Sequence, residues 1–301
     1  MKNKTTKSGQ GQQASVYHVD HPQELLAFLL QAMENRGRNA VKAILARGQV
    51  VVDGQVTTQY DQELKAGQTV EVSWVKKAAP GSFTDMGILY EDEDIIVIDK
   101  GAGLLSIASD KEKQLTAYRQ LMDHLRKWDP KQRVFIVHRL DRETSGVMLF
   151  AKSEEIQQAL QNDWKNTVSE RTYIALVEGH VKRKTGTITS WLKETRTHLV
   201  YSSPKPNGGQ KAVTHYAVLK TSSHYSLLQV NLETGRKNQI RVHMQEMGYP
   251  IVGDKKYGGK GNPIGRLGLH ANILTFKHPR SGEVLRFESP IPKRFLTAFK
   301  K

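Results

Sequence analysis

Residues 133–153 read R-V-F-I-V-H-R-L-D-R-E-T-S-G-V-M-L-F-A-K-S, two apolar runs around a short polar insert. Runs of β-branched and aromatic residues bounded by polar residues and Gly have the pattern of buried strands. The insert is therefore expected to be a loop pinned at both ends by a sheet. At its middle stands a carboxylate, Asp141, between Arg139 and Arg142. A carboxylate held on rigid elements yet exposed at a loop tip suits a catalytic acid or nucleophile. The plainer alternative is a strand connection whose Asp pairs with its neighbouring arginines. Surface pairs of that kind are common and contribute little, and charge pattern alone favours the plainer alternative.

Downstream, Ser153 is placed to cap a helix with Ile156, Leu160 and Trp164 on one face. R-T-Y-I-A-L-V-E-G (171–179) reads as a strand, with Tyr173, Ala175 and Val177 on one side and Thr172, Ile174 and Leu176 on the other. Further strand-like runs occupy 212–219, 225–232, 269–276 and 283–288. In L-E-T-G-R-K-N-Q-I-R-V-H-M (232–244) a strand gives way to a helix carrying Ile240, Met244 and Met247 and stopped by Gly248. Arg236 and Lys237 fall near that helix's N-terminus, where cations oppose the dipole but could help hold a phosphate. Arg241 lies off the apolar face, free to reach a carboxylate elsewhere.

Upstream, D-I-I-V-I-D (94–99) is a strand followed by K-G-A-G-L-L-S. A strand and G-x-G suggest dinucleotide binding, but Ser106 stands at the third Gly and the βαβ pattern does not repeat, so that fold is rejected. Asp110 to Trp128 follows as a helix with an apolar stripe of Leu115, Tyr118, Met122, Leu125 and Trp128.

The chain divides into four parts on this reading. Residues 1–15 form a disordered basic tail with almost nothing to bury. Residues 16–75 form a small module: a helix from Pro22 burying Leu25, Leu26, Leu29 and Met33, a helix from an Asn39 cap to Ala46, an Asp53-Gly54 hairpin, and a strand T-V-E-V-S-W. Residues 76–86 are a linker, and 87–301 a larger domain. The fold class is α+β, with a mixed, largely antiparallel sheet in the larger domain and a small α+β domain before it.

Composition narrows the function. There is no cysteine, which excludes disulfides, thiolate metal sites and a Cys nucleophile. No apolar run approaches the length needed to span a bilayer, and the N-terminus lacks an apolar signal core, so a cytoplasmic protein with no membrane partner is expected. Lys plus Arg exceeds Asp plus Glu by 15, which favours a polyanionic partner, nucleic acid first. Residues 1–80 hold ten Lys/Arg against seven Asp/Glu, so most of the surplus lies in the larger domain. His198, His215 and His224 are far apart in sequence without carboxylate company and are read as structural or RNA-facing, not as metal ligands.

Two resemblances sharpen this picture. R-G-R-N-A-V-K-A-I-L-A-R-G-Q-V-V-V-D-G-Q-V with L-K-A-G-Q-T-V-E-V resembles the RNA-binding module named after a small-subunit ribosomal protein. That resemblance implies RNA contacts from Arg36, Arg38, Lys42 and Arg47, although P-Q-E-L-L replaces the usual Arg-Leu-Asp opening of the first helix. Most of residues 87–301 resembles the RluA-type pseudouridine synthases, which convert uridine in RNA to its carbon-linked isomer. Five ordered blocks carry it: I-V-I-D-K-G-A-G-L-L-S, H-R-L-D-R-E-T-S-G, R-T-Y-I-A-L-V-E-G, T-G-R-K-N-Q-I-R-V-H with G-Y-P-I-V-G-D-K-K-Y-G, and L-H-A-N-I-L-T-F-K-H-P. Gly101 stands where Pro is common, and Asn238 where His is more usual.

The second resemblance implies roles. Asp141 is then the catalytic aspartate, Arg241 its ion-pair partner, and Tyr173 the ring against the target uracil, assisting proton removal. Arg139 holds the flipped-out nucleotide or the gap it leaves, and Arg236 and Lys237 hold phosphate. The reaction has no redox step and adds no external atom, so it needs no metal or cofactor. A carboxylate could attack the sugar or stabilise its developing charge, as in glycosidases. The expected protein is a monomeric RNA uridine isomerase acting on large-subunit ribosomal RNA. The alternatives are a transfer RNA enzyme of the same type, a non-catalytic RNA-binding ribosome assembly factor, and an N-glycosidase. RNA mass separates the last of these, since isomerisation leaves it unchanged.

Overall fold

The structure is a computed structural model and describes residues 14–33, 36–46, 48–73, 83–108, 115–127 and 129–299. Its first elements are β1 (Ala14–His18), β2 (Gln23–Glu24), α1 (Leu25–Ala32), α2 (Arg38–Ala46), β3 (Val50–Val52), β4 (Gln55–Thr57), β5 (Glu63–Leu64) and β6 (Thr69–Ser73). Leu25, Leu26, Phe28 and Leu29 of α1 close over a four-stranded sheet of order β1-β6-β3-β4. The Asp53-Gly54 turn has both residues at positive φ, 47° and 84°, as a type I′ hairpin requires. Every buried member of this core lies between Val19 and Val72.

Several local expectations change here. Ala14 and Ser15 pair with Ser73 and Val72, so the tail does not extend through residue 15; residues 1–13 lie outside the described residues. The first helix begins at Leu25, not Pro22, because Gln23 and Glu24 are drawn into a short ladder with β5. Asn39 is inside α2, not its cap. Arg47 and most of the 76–86 linker lie outside the described residues, and Met86 already belongs to the next strand.

The remaining elements are β7 (Met86–Glu91), β8 (Ile95–Lys100), α3 (Ala117–Arg126), β9 (Phe135–Ile136), β10 (Ser145–Ala151), α4 (Glu154–Asn162), α5 (Trp164–Thr167), β11 (Val168–Glu178), β12 (Thr185–Glu194), β13 (Val200–Ser203), β14 (Gln210–Thr221), β15 (Tyr225–Leu232), α6 (Gln239–Glu246), β16 (Leu269–Lys277), β17 (Val284–Glu288) and α7 (Lys293–Thr297). Eleven strands form one sheet along the path β13-β12-β14-β15-β11-β16-β10-β8-β7, with β17 added to β16 and β9 to β10. Among the described pairings in this sheet only β10 with β16 is parallel. This is the mixed, largely antiparallel α+β architecture expected from the sequence.

Alternation along the strands decides which helix covers which face. Ile96 and Ile98 of β8 pack with Leu121 and Leu125 of α3, while Ile95 and Val97 pack with Ile156 and Leu160 of α4. In β11, Ala175 and Val177 meet Ile240 and Met244 of α6, while Ile174 and Leu176 meet Phe295 of α7. Ser153 caps α4, its hydroxyl accepting from the Ile156 amide at 3.2 Å. In the expected stripe of the 110–128 helix, Met122 and Leu125 are buried but Leu115 is exposed, preceding the helix that starts at Ala117. Residues 109–114 and Trp128 lie outside the described residues.

Candidate active site

Between β9 and β10 the chain leaves the sheet and carries Asp141 on the connecting loop. That loop is held from beneath by the K-G-A-G-L-L-S segment that resembled a dinucleotide loop. The Lys100 ammonium, fully buried, donates to the carbonyls of Gly101 (2.9 Å), Leu104 (2.7 Å) and Arg142 (3.1 Å). Burial, then the charge of Arg266, pulls its pKa down to about 8, against the opposing Glu143 and Asp141. Ser106 Oγ donates to Leu140 O at 2.7 Å, and Gly103 N donates to Arg142 O at 2.9 Å. The residues on both sides of Asp141 are thus fixed by one neighbouring segment. Gly101, where Pro is more common, donates its amide to Asp85 O at 2.6 Å, a bond Pro could not make.

Arg241 projects from α6 toward this loop. Its Nη1 lies 3.3 Å from Asp141 Oδ2. Its stronger tie is to a carboxylate that sequence reasoning assigned no role: Nε and Nη2 donate to the two oxygens of Asp254, each at 2.8 Å. Asp254 is buried and also accepts the amides of Lys256 and Tyr257 at 3.1 and 3.0 Å. The guanidinium sits 5.0 Å from the centre of the Tyr257 ring. Burial opposes the Arg241 charge, but the bonds and charge of Asp254, joined by Asp141, hold its pKa above the ordinary value. The two carboxylates differ in access: the Asp141 side chain is 32% exposed and that of Asp254 is 0% exposed, so only Asp141 can meet a substrate.

Asn238 completes the arrangement at the start of α6. It adopts φ 55°, a left-handed conformation that Asn tolerates better than most residues. Its Oδ1 accepts from Arg241 Nη1 at 3.3 Å and its Nδ2 donates to the Tyr257 hydroxyl at 2.9 Å. A weak signal for these residues was present in G-D-K-K-Y-G, where an Asp and a Tyr three residues apart sit among glycines.

These groups open on a cavity of about 560 Å³ lined by Arg139, Asp141, Tyr173, Arg236, Lys237 and Arg241, among others. Burial raises the Tyr173 pKa; Arg171 opposes the rise and Asp141 adds to it, so the phenol stays protonated at neutral pH. His138 also lines the cavity; its Nε2 accepts the Leu149 amide at 3.0 Å. Burial and the charge of Arg171 pull its pKa down to about 4, leaving it neutral. Arg139 is exposed at the rim. Lys237 is in an ion pair with Glu194, and Arg236 Nε donates to Lys211 O at 3.1 Å. Arg38 and Lys42 are exposed on α2, away from this cavity in sequence and core, with the Lys42 ammonium 5.2 Å from the Tyr60 ring centre. Two of the three histidines read as lacking carboxylates have one: His198 meets Glu194 at 2.8 Å and His215 meets Glu233 at 2.6 Å. The first pairing was not readable because β12 and the 195–199 turn had no clear pattern, and the second because the register of β14 on β15 is not written in either strand.

Residues 94–246 match the model of the RNA pseudouridylate synthase family. The chain is 33% identical to the uncharacterized RNA pseudouridine synthase YlyB of Bacillus subtilis (strain 168), over 88% of this chain and 89% of that protein. It is also 33% identical to a protein of Neisseria meningitidis serogroup B named ribosomal large subunit pseudouridine synthase D, over 88% of this chain and 75% of that one. Among solved structures, human RNA pseudouridylate synthase domain containing 1 superposes with a TM-score of 0.56 at 26% identity, covering 70% of this chain and 86% of that one.

Proposed function

Since this chain belongs to the RNA pseudouridylate synthase family, and so isomerises uridine in RNA to pseudouridine, we propose that the cavity around Asp141 is where the isomerisation takes place. The single observation carrying this reading is the partly exposed carboxylate of Asp141 facing a guanidinium that a second, buried carboxylate already holds in place.

The reaction breaks the bond from uracil N1 to the sugar C1′, turns the ring, and makes a new bond from C5 to C1′. The C5 proton is lost and N1 regains one, so atoms balance within the nucleotide. The target base must leave its stack to reach a cavity of this depth. Asp141, paired with Arg241, either attacks the sugar or balances its developing positive charge; both uses need the same approach from the same oxygen. Tyr173 forms a wall for the uracil. Its protonated phenol is suited to donating a hydrogen bond, not to acting as the initial base. Arg139 at the rim stands where it can fill the gap left by the flipped nucleotide.

The substrate is large-subunit ribosomal RNA on this reading, supported by the name of the Neisseria relative and by the basic surplus of the chain. The small module at 14–73 is an RNA-binding domain presenting Arg36, Arg38 and Lys42, and the setting is the cytoplasm. The test is Asp141→Asn: pseudouridine formation should vanish while RNA affinity stays within about twofold, because a side chain of equal size replaces only the charge. Detectable product from the purified variant would refute the assignment.

A further inference from the structure

The stretch 182–211 concentrates charge beyond the needs of the cavity, with seven Lys and Arg against one Glu. It forms β12, β13 and the first residues of β14, at one edge of the large sheet. The two faces of this ribbon differ. On one, Leu192 and Val200 pack with Val242 of α6 and with Tyr257, and the single carboxylate, Glu194, is taken by Lys237 and His198. The other face points away from α6. It carries Trp191 and Lys193 two residues apart on β12, Tyr201 opposite Lys193 on β13, and Lys211 opposite Trp191 on β14. Tyr201 is 41% exposed, Lys193, Lys205 and Lys211 are exposed, and Trp191 is half-buried.

Aromatic rings alternating with ammonium groups on an open sheet face suit single-stranded RNA, whose bases stack on rings while its phosphates meet cations. The ribbon meets the cavity at one corner, where Arg236, which lines the cavity on the α6 side, donates to the Lys211 carbonyl. We propose that this outer face of the β12–β13–β14 ribbon binds single-stranded RNA flanking the target nucleotide. Lys193, Lys205 and Lys211 contact its phosphates, and Trp191 and Tyr201 stack against its bases. The inference rests on the RNA-modifying function above but assigns a surface that the chemistry itself does not use. Lysines near a sheet edge also discourage sheet-to-sheet pairing, and that role alone predicts no effect on RNA.

The test uses the full chain and two uridine-rich RNA oligonucleotides, one filling only the cavity and one extending well past it. Affinity is measured by fluorescence anisotropy across a salt series. Combining Lys193→Ala, Lys205→Ala and Lys211→Ala should weaken binding of the long RNA about tenfold more than that of the short one. It should also reduce the log–log salt slope for the long RNA by about 2. Tyr201→Ala should weaken the long RNA while leaving the slope in place, as loss of stacking without loss of charge would. Should the triple variant fail to fold, Lys193→Gln and Lys211→Gln singly should each lower the slope by about 0.7. Equal losses for the two RNAs, or no change for either, would overturn the proposal. Pseudouridine is assayed with the wild-type protein in parallel; its absence there would count against the isomerase and not against this surface.

Discussion

Asp254 is the residue on which the geometry of the site turns, though it touches no substrate. A guanidinium with one exposed partner would sample several positions, whereas the bidentate bond to a buried carboxylate leaves it one. Asp254→Asn should therefore reduce kcat by about a hundredfold, the scale expected of small misplacements near reacting atoms. It should also lower stability by about 3–5 kcal/mol, since a buried pair loses one charge. Product assays and denaturant titration check the two parts. Arg241→Lys should not restore activity, because an ammonium cannot span Asp254 and Asp141 together. That Asp141, Tyr173 and Arg241 line one cavity was legible from their blocks. Asp254 was not, because Asp followed by two lysines has the look of a solvated turn; its burial goes with the distant Arg241 guanidinium that it binds, which no local pattern records.

At the level of elements, two packing contacts set how the site is held. Gly146 has φ 113°, and a Cβ there would lie 2.0 Å from Ala271 O on the neighbouring parallel strand. Gly146→Ala should therefore break the β10–β16 pairing and lower stability by more than about 3 kcal/mol, read as a fall in Tm or loss of soluble protein. His243 of α6 bridges Ser190 at 2.9 Å and Thr214 at 2.8 Å and is fully buried; burial pulls its pKa down to about 4. Unfolded, it titrates near 6.5 and binds a proton that the folded form refuses. Between those values stability must fall as pH falls, by a few kcal/mol in total, and level off below about 4. Thermal melts from pH 7 to 4 should show this, and His243→Gln should remove its share of the slope, leaving that of His138. The strands with continuous apolar runs were readable: β8, β10, β11 and β16. β12, T-G-T-I-T-S-W-L-K-E, was missed because an open polar face puts threonines where a buried strand has valines. β13 is too short to show a period.

For the molecule as a whole, charge and topology matter more than any contact. Arg236→Ala with Lys237→Ala should flatten the salt dependence of RNA binding by about one to two units of log–log slope. Lys237 is already neutralised by Glu194 in the free protein, so Glu194→Gln should tighten RNA binding; unchanged affinity would show that Lys237 never meets a phosphate. The small N-terminal core shares no buried residue with the larger one. That β1 begins at Ala14 was not legible, since a five-residue strand of mixed polarity becomes visible only when β6 pairs with it. The larger sheet has a consequence for the order in which the protein is made. Ser145, a few residues past Asp141, pairs with His270, and Tyr173 pairs with Ala271. The strand that joins these two is thus made after Asp141, Tyr173 and Arg241. A nascent chain that already carries the aspartate, the tyrosine and the arginine has no strand to seat them against until β16 emerges. Until then the cavity lacks the wall that Leu269, Ala271, Ile273 and Leu274 supply.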